Sequence, residues 1–368
     1  MHTDVLIIGA GLSGLHTAYE FQKRGVEYIL LEARDRLGGR VLSWGAQESE
    51  YDPGLAAVDL GPSWFWPGQT RIKSLITELG LEKNIFFQQS EGDAVYEDNQ
   101  GNIQRGVTGV SMAGAYRLKG GLSQLTYALS NQLKNENILL NSKVNTIKYT
   151  SDKIISTYIN NDNSKKVSSN YVVIALPPRV AISNIEFKPE FSADRKQQLN
   201  QIATWMAGHA KLVCVYDEGF WRKRGFSGDV ISHRGPLQEI HDASSDDGSL
   251  NALFGFVSIP AVNRRNRQDE IRKMAIAQIA RIFGEQAMNP KFVYLQDWAM
   301  ETYTSTYLDQ EIQRFHPANN IGDASEKSWD DRLIWSGSEV ADYKQNNNGF
   351  LEGALEASMY ATSLYGSL

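Results

Sequence analysis

The sequence has little cysteine, little histidine and no long hydrophobic segment. Its 368 residues include one cysteine, Cys214, and six histidines that stand far apart. A lone cysteine cannot form an internal disulfide, and none of these residues shows the spacing of a metal site. No apolar run approaches the roughly 20 residues that a membrane-spanning helix needs. These absences disfavour a disulfide scaffold, a metalloenzyme and an integral membrane protein.

The charge balance disfavours a further class of protein. Lys and Arg total 37 against 43 Asp and Glu, giving a formal net charge of −6 with no long basic run. Nucleic acid is therefore not an expected partner. With 42% hydrophobic and 22% charged residues, the chain can bury a core large enough for two interlocked domains. Because the first strand starts almost at residue 1 and leaves no room for a signal peptide, we expect a cytoplasmic location.

What the sequence does contain begins with a dinucleotide fingerprint. An apolar strand, residues 5–8, leads into three glycines where the chain must turn into a helix: one for the turn, one for close approach to a pyrophosphate and one for helix packing. Glu32 then ends a second strand and can accept both hydroxyls of an adenosine ribose, which disfavours NADP. The fingerprint consists of Gly9, Ala10, Gly11, Leu12, Ser13 and Gly14.

The segment after Glu32 decides between cofactors. It reads Ala33-Arg34-Asp35-Arg36-Leu37-Gly38-Gly39-Arg40, and the paired glycines followed by arginine place N–H groups and a guanidinium beside the same diphosphate. At this point the chain resembles the flavin-dependent amine oxidases, which include monoamine, polyamine and L-amino acid oxidases and bind FAD through an "EAR.R.GGR" segment. The resemblance implies an α/β fold with FAD as cofactor. A discontinuous Rossmann-like FAD domain would interleave with a smaller α+β substrate domain built on a mixed sheet.

The resemblance also divides the chain into two domains. Residues 1–70, 117–185 and 325–368 are expected to form the FAD-binding domain, and residues 71–116 and 186–324 the substrate-binding domain. Only residues 69–119 stand where larger members place a long helical insertion that walls the substrate cavity. We therefore expect a more open or differently roofed site, suited to a larger substrate or completed by a partner subunit such as a second copy of the chain.

Four later segments resemble the remaining FAD contacts of the family. An aromatic loop would run against the flavin ring, a strand residue would hold the adenine, and a tryptophan would lead to the flavin. A C-terminal turn and helix would contact the ribityl chain and the pyrimidine ring, where the helix dipole favours negative charge. Core packing is the alternative role for the loop tryptophan. The residues are Gly61, Pro62, Ser63 and Trp64; Val144; Trp298; and Gly337, Ser338, Glu339, Phe350 and Leu351.

Lys211 is the first candidate for a catalytic residue. It lies on an alternating apolar segment, 211–216, and precedes Phe220-Trp221 with the family's "K........FW" spacing. In the family this lysine lies beside flavin N5 with a bridging water and assists reoxidation by oxygen. A cation there would stabilise developing negative charge. The alternative is a lysine at a strand edge that reaches solvent.

Tyr307 and Phe350 are the candidates for an aromatic cage. The family's two cage tyrosines would align with Leu308 and Phe350, so a full two-tyrosine cage is not evident, although Tyr307 can supply one wall after a shift of one residue. Both candidates could instead be core residues. Covalent members carry a cysteine nine residues after the position of Trp298, and this chain has Tyr307 there. We therefore expect FAD to be bound non-covalently.

The resemblance implies an oxidase that transfers a hydride from an amine or amino-acid carbon to flavin N5. The product is an imine, and oxygen would be reduced to hydrogen peroxide. Two alternatives remain: a desaturase or dehydrogenase of the same fold that uses another acceptor, and a flavin-binding protein with little turnover. The expected partners are a small-molecule amine and O2, with no nucleic acid and no membrane.

Overall fold

Two large sheets organise the part of the chain that the structure describes. This computed structural model describes residues 1–45, 57–313, 316, 329, 331–342 and 347–365. The strands are β1 (His2–Ile8), β2 (Tyr28–Leu31), β3 (Ser43–Trp44), β4 (Val58–Asp59), β5 (Ile85–Phe87), β6 (Asp93–Glu97), β7 (Ile103–Arg105), β8 (Tyr116–Leu118), β9 (Ile138–Leu139), β10 (Ser142–Tyr149), β11 (Ile154–Asn160), β12 (Asn163–Ile174), β13 (Glu186–Lys188), β14 (Ala210–Tyr216), β15 (Phe226–Ser232), β16 (Leu237–Asp242), β17 (Asn251–Val257), β18 (Phe292–Asp297) and β19 (Leu333–Trp335). The helices are α1 (Leu12–Lys23), α2 (Thr70–Glu78), α3 (Ser123–Gln132), α4 (Pro178–Asn184), α5 (Ala193–Gln201), α6 (Phe220–Lys223), α7 (Ala261–Arg264), α8 (Gln268–Phe283) and α9 (Leu351–Leu364).

The first sheet has the order β13-β10-β11-β12-β1-β2-β9, with β19 paired to the end of β12. Its centre, β1, runs parallel to both β2 and β12. Side chains of β1 alternate between two apolar clusters: Val5 and Ile7 pack with α1, α3 and α9, while Leu6 and Ile8 pack on the opposite face. A strand buried on both faces must be apolar throughout, which explains the unbroken hydrophobic run before the glycines.

The second sheet has the order β18-β14-β17-β16-β15-β6-β7 and is mixed, because β15 and β6 are parallel while the other neighbours are antiparallel. Helix α8 covers one face, where Cys214 packs in the same cluster as Ile271 and Ile279. Strand β14 is hydrogen-bonded to a neighbour on each side. Lys211 therefore does not lie on a sheet edge, and the strand-edge interpretation of this residue is wrong.

Some segments assigned to the substrate-binding domain pack or pair with elements of the first sheet, and α2 and β13 are examples. Residues 71–78 of helix α2 were assigned to the substrate domain, but Ile72 and Leu75 pack into the cluster of α1 and α9. Strand β13 was also assigned to the substrate domain, but it pairs in parallel with β10 of the first sheet. Both segments thus belong to the cores of the first sheet, Ile72 and Leu75 on one face and Phe187 on the other. The boundary at residue 325 lies outside the described residues.

The C-terminal elements return to the start of the chain. Strand β19 pairs with β12, and α9 packs along α1. Buried hydroxyl groups join these segments: Thr17 Oγ1 donates to Ser358 Oγ at 3.0 Å, and Ser13 Oγ donates to the carbonyl of Ser336. The N-terminal fingerprint and the C-terminal turn are thus parts of one structure. Within the described ranges, no helix is both long enough and apolar enough to cross a membrane.

Candidate active site

A cavity of about 860 Å³ lies between the two sheets. This volume is in the range of cofactor and ligand sites. Its cofactor half is formed by the first sheet and its loops, and its substrate half by strands of the second sheet. The sequence-predicted residues that line it are Gly11, Leu12, Ser13, Arg40, Gly61, Pro62, Ser63, Trp64, Lys211, Trp298, Gly337, Ser338, Glu339, Phe350 and Leu351.

The cofactor half is a cradle of closely packed backbone. A Cβ on Gly14 would lie 1.9 Å from the carbonyl oxygen of Gly9, and a Cβ on Gly61 would lie 2.0 Å from that of Arg40. A Cβ on Gly11, by contrast, would meet no protein atom within 4 Å. Gly11 is also the N-cap of α1, which has no side-chain cap and no acidic residue in its first turn. The free N–H groups and the open face fit a diphosphate, so the residues present fit FAD.

Glu32, Ala33, Arg34 and Val144 lie beyond this cradle, outside the cavity lining. The Glu32 carboxylate accepts hydrogen bonds from the backbone N–H groups of Ala10, at 2.8 Å, and Arg34, at 2.9 Å. The backbone of the Glu32 to Arg34 segment pairs with residues 139–142, and Val144 packs in the same cluster as Leu31. The fingerprint acid and the strand assigned to the adenine are therefore neighbours at one end of the first sheet.

The arginine after the paired glycines crosses the cradle to the C-terminal turn. Gly39, whose φ is +58°, directs Arg40 towards Glu339, and the two side chains form an ion pair of 2.6 Å. Arg40 Nη2 also donates to Ser338 Oγ at 3.0 Å. Glu339 is almost fully buried, so the pair neutralises a charge that would otherwise be costly. This ion pair therefore joins the N-terminal and the C-terminal segment in which the chain resembles the family.

Lys211 lies where the two halves of the cavity meet. Its Nζ donates to the carbonyl of Gly61 at 3.1 Å and to Ser63 Oγ at 2.5 Å, and lies 4.0 Å from the centroid of the Phe254 ring. The side chain is only 2% exposed. Burial lowers the pKa of Lys211 to about 7, although nearby Asp59 opposes this effect. An amine with this pKa can be either charged or neutral at physiological pH.

The aromatic loop and the second sheet meet beside this lysine. Trp64 donates from Nε1 to Gln88 Oε1 at 2.8 Å and packs against Phe254 at a ring distance of 5.3 Å. Trp64 also lines the cavity, so one side chain both packs in the core and contributes to the wall of the site. Trp298 also lines the cavity and donates from Nε1 to the carbonyl of Leu60 at 3.1 Å.

The two cage candidates are placed differently. Phe350 lines the cavity, with its ring stacked on His316 at 4.6 Å. Tyr307 is 81% exposed and is not part of the cavity lining, so the expectation that it forms a wall is corrected. Thr306 and Asp309 form a capping box around the short turn Tyr307–Asp309, and this turn directs Tyr307 to solvent.

The position of Cys214 bears on how FAD is attached. Along β14, Lys211, Val213 and Val215 share one face, and Cys214 points to the other, under α8. Burial raises the pKa of this thiol to about 12. The single cysteine of the sequence thus lies across the sheet from the cavity and cannot form a thioether to a flavin bound there.

The substrate half also contains residues that were not predicted from the sequence. Trp205, His209 and Glu239 all line the cavity. Trp205 and His209 come from a segment without periodicity, 202–209, that follows α5. Burial, with a contribution from Arg264, lowers the pKa of His209 to about 4, so this imidazole is neutral at physiological pH. No local signal marks these residues, because only the packing of distant segments brings them to the cavity.

Comparison with known proteins now decides the family. The family model for flavin-containing amine oxidoreductases matches residues 12–109 and 95–362. The chain belongs to this family. Its members are flavin-dependent amine oxidases, and FAD is the cofactor. Sequence and structure agree on the fold class, an FAD-binding α/β fold with a mixed second sheet.

Several relatives of this amine oxidase cover nearly the whole chain. The probable flavin-containing monoamine oxidase A of Dictyostelium discoideum is 26% identical over 457 residues, covering 96% of this chain and 95% of that protein. The flavin-containing amine oxidase A of Canis lupus familiaris is 24% identical over 96% of this chain and 83% of its own length. Because the first alignment is longer than the 368 residues of this chain, that relative contains segments that this chain lacks.

Solved structures share the fold of this amine oxidase. Wild-type putrescine oxidase bound to putrescine superposes with a TM-score of 0.81 at 21% identity, over 100% of this chain and 99% of that one. Cyclohexylamine oxidase from Brevibacterium oxydans IH-35A gives a TM-score of 0.77 at 18% identity, over 99% of both chains. At these identities the likeness establishes the fold, and the substrate must be argued from the cavity.

Proposed function

We propose that this enzyme oxidises the carbon–nitrogen bond of an amine to an imine and passes the electrons to O2, which leaves as H2O2. The observation that carries the proposal is the buried Lys211 amine at the junction of the two halves of the cavity. Bound FAD would supply the two-electron acceptor for the hydride that leaves the amine carbon. The two electrons and two protons lost by the substrate equal those needed to convert O2 to H2O2.

The residues around the junction have separate tasks in this proposal. The rings of Trp64 and Phe256 line one side of the substrate half, with Phe254 packed against both, and they would exclude water and favour a neutral amine there. Lys211 would hold a proton at Nζ close to the reacting face and stabilise negative charge that develops there. Gly61 and Ser63 fix its position through their hydrogen bonds.

We assign the FAD contacts to the residues predicted from the sequence, grouped by the part of FAD that each would hold. The diphosphate would lie on the N-terminus of α1 and near Arg40, the adenosine near Glu32, and the ring beside the aromatic loop and α9. The assigned residues are Gly9, Gly11, Leu12, Ser13, Gly14, Glu32, Ala33, Arg34, Gly39, Arg40, Gly61, Pro62, Ser63, Trp64, Val144, Trp298, Gly337, Ser338, Glu339, Phe350 and Leu351.

An amine fits the cavity better than an amino acid does. Arg40 is the one arginine among the described residues that line the cavity, and it is paired with Glu339. A substrate carboxylate would therefore find no free guanidinium in this lining. A substrate half more open than in larger members, which the short segment 69–119 predicts, would leave room for a larger amine.

The deciding experiment is anaerobic reduction of the bound flavin. Mixing the holoenzyme with a panel of amines and amino acids should bleach the flavin absorbance with amines, and oxygen should restore it rapidly. Bleaching without rapid return would favour a dehydrogenase that uses another acceptor. Failure of every amine to bleach the flavin would refute the proposal and favour a protein with little turnover.

A further inference from the structure

The buried amine of Lys211 has an aromatic ring among its contacts. An ammonium has three N–H donors, and the described residues give Lys211 Nζ two oxygen acceptors, the carbonyl of Gly61 and Ser63 Oγ. A further contact is the face of the Phe254 ring, whose centroid lies 4.0 Å from Nζ. The face of an aromatic ring carries partial negative charge and attracts a cation, most strongly where water is excluded. Lys211 and Phe254 are both buried, so this contact favours the charged form of the amine.

The register of the second sheet places the ring next to the amine. Phe254 on β17 is opposite Val213 on β14, and Phe256 is opposite Lys211. Lys211 and Val213 share one face of β14, so Phe254 is a diagonal neighbour of Lys211 on that face. Diagonal neighbours across a strand pair lie within reach of long and aromatic side chains. The pairing of β14 with β17 thus brings the ring to Nζ.

Three neighbouring rings hold Phe254 in place. Trp64 packs against it at a ring distance of 5.3 Å, His241 at 5.5 Å and Phe256 at 5.6 Å, the last edge to face. Phe254 is buried and is not one of the described residues that line the cavity. The ring is therefore not part of the wall that a substrate meets, and a substitution there tests the lysine without removing that wall.

The charges around Lys211 leave its protonation closely balanced. Burial lowers the pKa of Lys211 to about 7, Asp59 on β4 opposes this effect, and the buried Arg117 guanidinium on β8 adds to it. A shift of one unit in pKa changes the ratio of charged to neutral amine tenfold. A single favourable contact therefore decides which form predominates at physiological pH.

His241 on β16 is a second titratable group beside the ring. Its Nδ1 lies 2.8 Å from Asp229 Oδ1 and its Nε2 lies 2.7 Å from Glu239 Oε1. Burial lowers the pKa of His241, but these hydrogen bonds outweigh burial and raise it above the ordinary value. The imidazolium is thus paired with two carboxylates. Lys211, by contrast, has no carboxylate at ion-pair distance in the described part of the chain, and the Phe254 ring takes the place of a counter-ion.

We propose that Phe254 is a positioning residue that keeps the Lys211 ammonium charged and in place, and thereby sets the pH range in which the reduced enzyme reacts with O2. A carboxylate in the same position would neutralise the ammonium. A neutral ring leaves its full charge available to negative charge that develops at the reacting face. This inference rests on the proposed oxidase reaction and names the residue that controls its lysine.

The first test withdraws electrons from the ring and keeps its shape. The variants are Phe254→4-fluorophenylalanine, Phe254→3,5-difluorophenylalanine and Phe254→3,4,5-trifluorophenylalanine, which weaken the negative face stepwise. The pH midpoint of Lys211 in the oxidised holoenzyme is read from the carbon-13 NMR signal of lysine Cε that is absent in Lys211→Met. This midpoint should fall with each added fluorine, by about one pH unit in the trifluoro variant. The same trifluoro change at Phe283, a buried ring of the cluster under α8, should leave the midpoint unaltered.

The second test follows the reaction with oxygen. Holoenzyme reduced with stoichiometric dithionite, so that no amine is needed, is mixed with oxygen over a series of pH values. The pH above which reoxidation slows should shift in parallel with the Lys211 midpoint, and the trifluoro variant should react about fivefold more slowly at about pH 7. Phe254→Leu removes the ring and should shift the profile at least as far. Phe283→Leu, the matched control, should not shift it.

Three results would overturn the proposal. One is a Lys211 midpoint that stays the same through the fluorine series, a measurement that requires no turnover. Another is a lysine midpoint that follows the series while the reoxidation profile stays fixed, because the ring would then not set the pH range of the oxygen reaction. The last is an equal shift in the Phe254 and Phe283 variants, which a general loss of packing would produce. Failure of every amine to reduce the flavin would refute the proposed function instead, since neither test of Phe254 uses an amine.

Discussion

The two halves of the cavity are built in different ways. The cofactor half is a backbone structure, in which glycines bring main-chain atoms together and a helix N-terminus faces the cavity. The substrate half is a row of side chains, Lys211, Phe256 and Glu239, contributed by three strands of one sheet. Adding a Cβ to a glycine of the cofactor half would block the binding of its ligand. In the substrate half, by contrast, a single side-chain substitution can change which ligand is preferred. The fold can therefore keep its cofactor while its substrate varies.

The largest expected effect comes from Gly11→Ala. The new Cβ meets no protein atom within 4 Å, and the φ of −72° suits alanine, so the apoprotein should lose no more than about 1 kcal/mol of unfolding free energy. The methyl group would occupy the face assigned to the diphosphate and weaken FAD binding by about 100-fold or more. FAD titration of the apoprotein and chemical denaturation measure the two effects.

Gly68→Ala is the matched control for this change. Gly68 is exposed in a loop and also has open space at Cβ, so the variant should bind FAD normally. Unchanged FAD affinity in Gly11→Ala would mean that the diphosphate does not lie on this cradle.

The next largest effect concerns Lys211. Lys211→Met should slow reoxidation by oxygen roughly 10- to 100-fold and leave reduction by amines largely intact, because the cation near the reacting face is lost. In the unaltered enzyme the ammonium form is present below the lowered pKa of about 7 and is lost as pH rises. Reoxidation should therefore slow above pH 7, and the variant should lose this pH dependence. Stopped-flow mixing of reduced enzyme with oxygen measures both rates.

An exposed lysine provides the comparison. Lys196→Met changes a residue with a half-exposed side chain that is not part of the cavity lining, and it should leave the reoxidation rate and its pH profile unaltered. An oxygen rate in Lys211→Met equal to that of the unaltered enzyme would remove the role assigned to this residue.

The smallest effects separate the two cage candidates. Phe350→Ala removes a ring that lines the cavity and should lower kcat/KM for amines roughly tenfold. Tyr307→Ala removes a side chain that is 81% exposed, and steady-state kinetics should show a change of less than about twofold. A larger loss in Tyr307→Ala than in Phe350→Ala would restore the sequence-based interpretation of Tyr307 as a cavity wall.

The sequence predicted the cofactor half well because that half depends on local backbone rules. Strand β1, helix α1 and the acidic end of β2 follow from apolar periodicity and glycine spacing within residues 5–32. Helices α3 and α8 each bury one apolar stripe, a pattern that hydrophobic periodicity in a sequence indicates. The cofactor and the fold class followed from these segments and from the family resemblance.

The substrate half could be predicted only in part. Lys211 carried a recognisable spacing, but its alignment with Phe256 and Glu239 in one row depends on the strand order β14-β17-β16. Chain order does not give that sheet order, and a register shift of one residue would turn Glu239 to the other face. Tyr307 was misplaced because alignment by position could not foresee the capping box of Thr306 and Asp309.

The return of the C-terminal segment has a consequence for how the enzyme matures. Strand β19 and helix α9 complete the cofactor half, yet a ribosome synthesises residues 333–364 long after β1 and α1 have emerged. The hydroxyl contacts of Thr17 and Ser13 with Ser358 and Ser336 can form only when the chain is nearly finished. The complete cradle therefore forms only after the C-terminal segment has been synthesised, so full FAD affinity is expected only in the finished chain.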